Sequence, residues 1–372
     1  MKAVGIILAG GNNERLEGLN SVRATSAMPV GGCYRIIDFA ISNMANSGIQ
    51  KIAVITQYNF RSLHDHLSSS KWWDLGRKHG GLFVFTPFLK NETNNNSFQG
   101  TADSIYQNLN FLNRSKEQYV IISSGNCIFK MDFAELIKYH ADTGADITIA
   151  AKDMAGTDID LRKYGVLTLD GHNNIIEFEE KPIETEGTVI SLGIYIMSRT
   201  LLISLLEEGV SEARYDFVKD ILIRYRKKMK YNAYMFNDYW RAINSVGTYY
   251  QANMDFLDEN IRRQLVHNSP YIESKPKDQP PAKFNLNAKT SNCLVGSGSI
   301  LNGTTVDSVI FRKVFAGENT YIKSSIIMEE ADIGKHCFIE NAIIDKEVTI
   351  SDGAHICGSP EAPRIIKKGT KI

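Results

Sequence analysis

The chain has 372 residues, enough for one large domain of roughly 250 residues and a smaller second one. Its 42 Lys and Arg balance 42 Asp and Glu, so no overall field draws it to nucleic acid or to a membrane surface, and any phosphate it binds must be held locally. Five scattered cysteines (Cys33, Cys127, Cys293, Cys337, Cys357) contain no CxxC pair, which argues against a zinc or redox motif and reads as reduced thiols of a cytoplasmic protein.

The N-terminal run MKAVGIILAGG is too brief for a signal core and runs into a glycine turn, so it reads as a buried first strand. No later run approaches membrane-spanning length. Apolar, β-branched runs at 4–8, 52–56, 119–123, 147–151 and 190–196 predict strands covered on both faces. Helical spacing at 34–47 and 102–112 lies between them. This βαβ rhythm over residues 1–250 predicts an α/β sandwich with a mixed, mostly parallel, Rossmann-like sheet, whose ligands gather at the carboxyl ends of the strands. Loops 10–16 and 124–130 fall at such ends.

Residues 251–285 predict a helix, itself spanning 249–266, and then a linker holding four of the nine prolines. From 286 to 372 the pattern changes. Aliphatic or small residues recur as Leu294, Ile300, Val306, then Ile310, Ala316, Ile322, then Ile327, Ile333, Ile339, then Ile344, Ile350, Ile356. The step is six within each triplet, a full turn takes 16 or 17 residues, and SVI, SII and AII return at 308, 325 and 342. That register predicts a parallel β-helix with three short strands per coil.

Gly10, Gly11 and Arg15 in LAGGNNERL follow the first strand, where bare backbone and a guanidinium fork suit phosphate oxygens; ordinary turn chemistry explains an isolated instance equally well. Further segments then follow in order: PVGGCYRIIDFAISNMANSGI (29–49), TQY (56–58), QGTADSIYQN (99–108), SGN with IFKMD (124–132), YGV (164–166), FEEKP (178–182), SLGIY (191–195), YDFVKD (215–220) and YW (239–240). The ordered set, with the β-helix, resembles the glucose-1-phosphate adenylyltransferases, or ADP-glucose pyrophosphorylases, along nearly the whole chain.

The resemblance implies a nucleotidyltransferase domain over 1–250, a hexapeptide-repeat left-handed β-helix over 286–372, and the joining of ATP to glucose 1-phosphate with release of pyrophosphate. It places the nucleotide at Gly10, Gly11, Arg15, Gln57, Gly100 and Thr101, and the sugar phosphate at Glu180, Lys181, Ser191 and Asp216. For Glu180 and Lys181 a plain surface ion pair is the competing reading; Thr101 and Asp103 also suit helix capping. In the family two aspartates hold Mg²⁺, one in a GDH turn and one in YWxDVGT. Here the first position is Asn126, and the second segment reads YWRAINSVGT, with Ser245 before VGT. An amide brings no charge to hold a hard cation against its hydration. Asn13 and Glu14 replace the glycine and threonine of GGxGTRL, Val22, Thr25 and Ser26 stand where lysines and a proline are usual, and Tyr215 replaces a histidine.

The depleted pattern is most similar to the GlgD-type regulatory subunit. The expected role is a non-catalytic or weakly active partner of a catalytic subunit in glycogen biosynthesis, in a heterotetramer or, alone, a homo-oligomer. It would hold no metal of its own, with Mg²⁺ in the partner, and would respond to an anionic sugar-phosphate effector. Two alternatives are an active enzyme with substitute ligands, for which Asp132 and Asp238 are the nearest acids, and an interaction module that binds no small molecule. His64 and His66, two apart, do not make a metal pair on a helix. His336 and His355 have no nearby support as catalytic bases, and Trp72 and Trp73 read as packing.

Overall fold

A computed structural model of the protein describes residues 2–11, 14–76, 80–87, 97–157 and 159–372. The N-terminal part is built on one nine-stranded sheet. Its main path runs Ile175–Glu180, Gly165–Leu169, Val189–Ser198, Tyr119–Ser124, Ala3–Leu8, Lys51–Ile55 and Gly81–Phe85. Ala3–Leu8 pairs in parallel with both Tyr119–Ser124 and Lys51–Ile55. The long strand Val189–Ser198 runs antiparallel to Tyr119–Ser124 and also to Ile147–Asp153, which in turn carries Tyr231–Met235. All five strands read from the sequence are present.

Strand alternation puts successive side chains on opposite faces, and the core divides accordingly. Ile7, Ile52, Val54 and Ile121 meet helices Ile36–Asn46 and Phe133–Thr143 on one side. Val4, Ile6, Ala53, Ile55, Val120 and Ile122 meet helix Arg199–Ser211 and the π-helical turn Phe217–Ile223 on the other. Both helical expectations at 102–112 and 249–266 are interrupted. The first becomes Thr101–Tyr106 and Leu109–Asn113. Between them Asn108 Nδ2 donates to the Ser104 carbonyl at 2.8 Å, a side chain competing with the helix ladder. The second becomes Val246–Asp255 and Glu259–Arg262, because Asp258 caps a fresh helix through the amides of Asn260 and Ile261.

The C-terminal part is a parallel β-helix of three five-stranded sheets. Nine of the twelve proposed stacking positions hold register: Ile310, Ile327 and Ile344 in one column, Ala316, Ile333 and Ile350 in the second, Ile322, Ile339 and Ile356 in the third. The first triplet is displaced by one. Val295, Leu301 and Thr305 occupy the columns, not Leu294, Ile300 and Val306. The first coil is shorter at the corner that holds Gly303: the step from Leu301 to Thr305 is two residues shorter than the matching step from Ala316 to Ile322. The helix also starts earlier than expected, since Lys283–Phe284 already pairs with Ile300–Leu301.

A third apolar cluster joins the two parts. Met28, Phe39, Tyr249 and Phe256 pack on Val309, Phe311, Ile326 and Ile343. Arg23 reaches across the same seam to Asp345 at 2.7 Å, with both side chains buried. No helix among the described residues is long and apolar enough to cross a membrane. All five cysteines are free thiols.

One buried group makes the stability of this core depend on pH. His140 packs under the sheet with its Nδ1 2.8 Å from Thr148 Oγ1, and burial pushes its pKa down from 6.5 to about 4. A depressed base binds fewer protons folded than unfolded, so its contribution is complete above pH 6.5 and is lost as pH falls toward 4. About 3 kcal/mol of stability is expected to disappear across that window. Urea midpoints measured from pH 7 to 4 should fall, and His140→Gln should flatten the slope.

Candidate active site

The carboxyl ends of Ala3–Leu8, Lys51–Ile55 and Tyr119–Ser124 open into a cavity of about 930 Å³. This is where an open parallel sheet gathers its ligands. The cavity is lined by Gly10, Gly11, Arg15, Thr25, Gln57, Gly100, Thr101, Asn126, Glu180, Lys181, Ser191 and Asp216, residues spread over most of the first domain. Of the residues assigned to the nucleotide, the sugar phosphate and the metal, all but Ser245 line it; Glu14, Val22 and Tyr215, named as departures from the family pattern, do not. Asn13 lies outside the described residues.

Several of these side chains are already employed in shaping the walls. Gln57 Oε1 accepts from Phe98 N at 3.2 Å, and Thr101 Oγ1 accepts from Phe217 N at 2.9 Å. Gly100 must be glycine for packing reasons alone, since a Cβ there would lie 2.3 Å from the Tyr215 carbonyl oxygen. Asp216 Oδ1 accepts from Val218 N and Lys219 N, which makes it the cap of the following helical turn. Ser191 Oγ accepts from Gly193 N at 3.3 Å. Asp103 is a helix-start residue, as its alternative reading had it: Oδ2 takes Gln99 N and Gln107 Nε2. Glu180 and Lys181 do form an ion pair, 3.1 Å long, at the rim, with Lys181 64% exposed and Glu180 only 16%. Gly165 faces Glu180 across the sheet and makes room for it, since a Cβ there would come within 2.9 Å of Glu180 Oε2.

The two segments expected to carry metal acids do meet. Trp240–Ala242 pairs antiparallel with Cys127–Phe129, setting Ala242 opposite Cys127, and Ile243 N donates to the Asn126 carbonyl at 2.9 Å. What they present is neutral. Asn126 Oδ1 accepts from Ser124 Oγ at 2.5 Å, and its Nδ2 donates to the Ile243 carbonyl at 3.2 Å. Beside it, burial pushes the Cys127 thiol up to about 12, so it brings no thiolate at neutral pH. Burial likewise raises the Tyr164 phenol, which lines the same wall.

The placement of the second position needs correcting. Ser245 is the N-cap of helix Val246–Asp255, its Oγ accepting from Thr248 N while Thr248 Oγ1 accepts from Ser245 N. That capping box holds it away from the cavity. Ala242 and Asn244 line the wall instead.

Would these residues fit the Mg²⁺ of the resemblance? Among the described residues no three His, Cys, Asp or Glu side chains converge as a metal site. Glu180 is paired with Lys181 and Asp216 is a cap. Asp132 caps helix Phe133–Thr143, and Asp238 accepts from Gln264; neither lines the cavity. The donor set does not fit a hard divalent cation.

Restoring the acid alone should not repair the site. Asn126→Asp removes the amide donor and sets a carboxylate against the Ile243 carbonyl, a loss of about 1–3 kcal/mol. The variant is expected to lower the urea midpoint without raising ADP-glucose formation, read in one preparation by unfolding and by a coupled pyrophosphate assay.

Arg162, Lys163, Tyr195 and Trp240 line the cavity without having been singled out from the sequence. Arg162 and Lys163 directly precede the YGV tag, which was the available signal; Tyr195 and Trp240 stand inside quoted tags but were given no role. Outside the cavity, His66 is buried against Asp38 while His64 sits elsewhere on the turn, so the pair shares no ligand. Trp73 is buried and donates to the Glu273 carbonyl at 3.0 Å, a packing role as expected. The rest of its loop, at 77–79, lies outside the described residues.

Comparison with known proteins agrees with this architecture. The nucleotidyl transferase family model matches residues 4–259, and the GlmU-like C-terminal hexapeptide model matches 280–365. The glucose-1-phosphate adenylyltransferase of Geobacillus stearothermophilus is 36% identical over 325 residues, covering 87% of this chain and 83% of its own length. Those of Bacillus mycoides and Bacillus anthracis are each 36% identical over 358 residues, covering 95% of this chain and 94% of theirs. With both domains matched and nearly full-length relatives on either side, the chain belongs to the glucose-1-phosphate adenylyltransferase family.

Proposed function

We propose that this chain is a non-catalytic or weakly active regulatory subunit of a glucose-1-phosphate adenylyltransferase, assembled with a catalytic sister subunit that converts ATP and glucose 1-phosphate to ADP-glucose and pyrophosphate in glycogen biosynthesis. The observation that carries this reading is Asn126, whose amide is spent on Ser124 and Ile243 where the family resemblance calls for a metal carboxylate. Attack on the α-phosphorus concentrates charge on phosphate oxygens, and its catalysis rests on alignment and neutralisation rather than on a covalent partner. Here the alignment walls persist and the neutralising ion has no seat.

The seam between the domains supports a regulatory task. Thr25 and Ser26 line the cavity, and Arg23, two residues earlier, is tied to Asp345 in the β-helix. Tyr250 in helix Val246–Asp255, just past Asn244, donates to the Ser324 carbonyl of the β-helix at 2.6 Å. These contacts tie the cavity wall to the β-helix, so an assembly made through the β-helix would act on the wall through them. In the proposed assembly Mg²⁺ belongs to the partner, the complex is a heterotetramer, and an anionic sugar phosphate is the effector.

Co-expression with a catalytic homologue from the same cell, followed by native mass measurement and kinetics, tests the reading. A mixed tetramer with a raised rate or an altered effector response is expected. Two subunits that stay apart, with the catalytic one unaffected, would overturn it.

A further inference from the structure

Near the end of the β-helix, away from the active-site cavity, one cysteine differs from the other four. Cys127 and Cys337 are buried, and burial pushes the Cys127 thiol up to about 12. Cys33 is exposed as a residue, but its thiol is largely buried and pushed up to about 11, and burial also raises the Cys293 thiol. Cys357 is exposed on strand His355–Cys357, and its Sγ lies 3.6 Å from His355 Nδ1. That imidazole is held by a stack of rings: it lies 5.0 Å from Phe338 and within 9° of parallel, and Phe338 in turn lies 5.4 Å from Tyr321. A thiol beside a fixed base is an arrangement that favours a nucleophilic thiolate.

The surroundings of the thiol suit an anionic reactant. Glu340, opposite Cys357 on the adjacent strand, is already paired with Lys323 at 2.8 Å. Cys357 also lines a groove of about 540 Å³ together with Glu17, Gly358, Pro363, Arg364 and Lys367, a volume that suits a small organic molecule. Arg364 and Lys367 are exposed and have no ion-pair partner among the described residues. The groove therefore sets two uncommitted cations against the single acid Glu17, next to a reactive sulfur.

We infer that Cys357 is a thiol-exchange site for small disulfides that carry carboxylates, so that the last part of the β-helix takes up a covalent adduct according to the thiol–disulfide balance around it. In the exchange His355 takes the thiol proton, the Cys357 sulfur attacks one sulfur of the disulfide, the S–S bond breaks, and the departing thiolate takes the proton from His355. The products are one mixed disulfide on the protein and one free small thiol, with the small disulfide as the oxidant. Arg364 and Lys367 hold its carboxylates. Glu17 shares this groove and stands two residues past Arg15 of the active-site cavity, so the adduct lies beside a segment common to both. The inference stands apart from the regulatory reading and does not rest on it.

Oxidised glutathione added to the isolated full-length chain tests it, with adducts located by peptide mass mapping after an acid quench. One mixed disulfide on Cys357, reversed by dithiothreitol, is expected to form at least roughly tenfold faster than any on Cys33 or Cys293. His355→Gln should slow it about tenfold near pH 7 and have little effect above about pH 9, where a free thiol ionises unaided; a ring that served only packing would not give that pH profile. Arg364→Ala with Lys367→Ala should slow oxidised glutathione severalfold and spare cystamine, a disulfide that carries amines instead. All these positions are exposed, and unchanged urea midpoints check that the variants fold. No adduct on Cys357, equal reaction at Cys33, an unchanged rate in His355→Gln near pH 7, or cystamine outpacing oxidised glutathione on the parent chain would overturn the proposal.

Discussion

The purified chain, assayed alone with ATP, glucose 1-phosphate and Mg²⁺, is expected to form ADP-glucose at least roughly a thousandfold more slowly than a catalytic relative. The size follows from what the missing ion would do. A seated cation polarises the phosphoryl oxygens and offsets charge on the leaving pyrophosphate, and even ~4 kcal/mol of such stabilisation corresponds to about three orders of magnitude in rate. Asn126 cannot replace it, because an amide brings no charge to hold a hard cation against its hydration, and its oxygen and nitrogen are bonded to Ser124 and the Ile243 carbonyl. Substrate affinity should suffer less than turnover, since Gln57, Glu180, Lys181 and Ser191 still line the cavity. A kinetic defect confined to KM would therefore speak against the argument.

The other large effect lies at the seam. Asp345→Ala is expected to cost about 3–5 kcal/mol, because it strands the Arg23 guanidinium in a buried site. The two side chains are 4% and 2% exposed and 2.7 Å apart, so water cannot take over the lost partner. Arg23 also donates to Met328 Sδ, which offers a neutral and weak acceptor. Removing both charges tells packing from electrostatics: Arg23→Met with Asp345→Leu should recover most of the loss, since an apolar pair is often as stable as a buried ion pair. Chemical denaturation with an unchanged slope would read both variants. If Asp345→Ala stayed within about 0.5 kcal/mol of the parent, as surface substitutions do, the seam would not be held in this way.

Much of this architecture was legible because its signals are periodic. Strands covered on both faces announce themselves as apolar runs, and nine of twelve β-helix positions keep the register read from their spacing. The first coil escaped because its step from Leu301 to Thr305 is two residues short, while Leu294, Ile300 and Val306 still offer an unbroken six-residue spacing in the sequence. The helix breaks escaped for a local reason, side chains of Asn108 and Asp258 taking backbone partners. In the cavity, ordered motifs named most of the wall, but Ser245 does not line it: it is tied up as a helix N-cap in a capping box with Thr248, a contact the motif does not encode. The Arg23–Asp345 tie joins residues far apart in the chain, and no local pattern could have paired them.

The most direct test is a manganese titration of the isolated chain with a non-hydrolysable ATP analogue, followed by electron paramagnetic resonance. Neutral side chains at Asn126 and Asn244 should leave the ion as it is with free nucleotide, with no additional protein-bound signal. A stoichiometric Mn²⁺ signal that needs the protein, and that weakens in Asn126→Ala, would contradict the account.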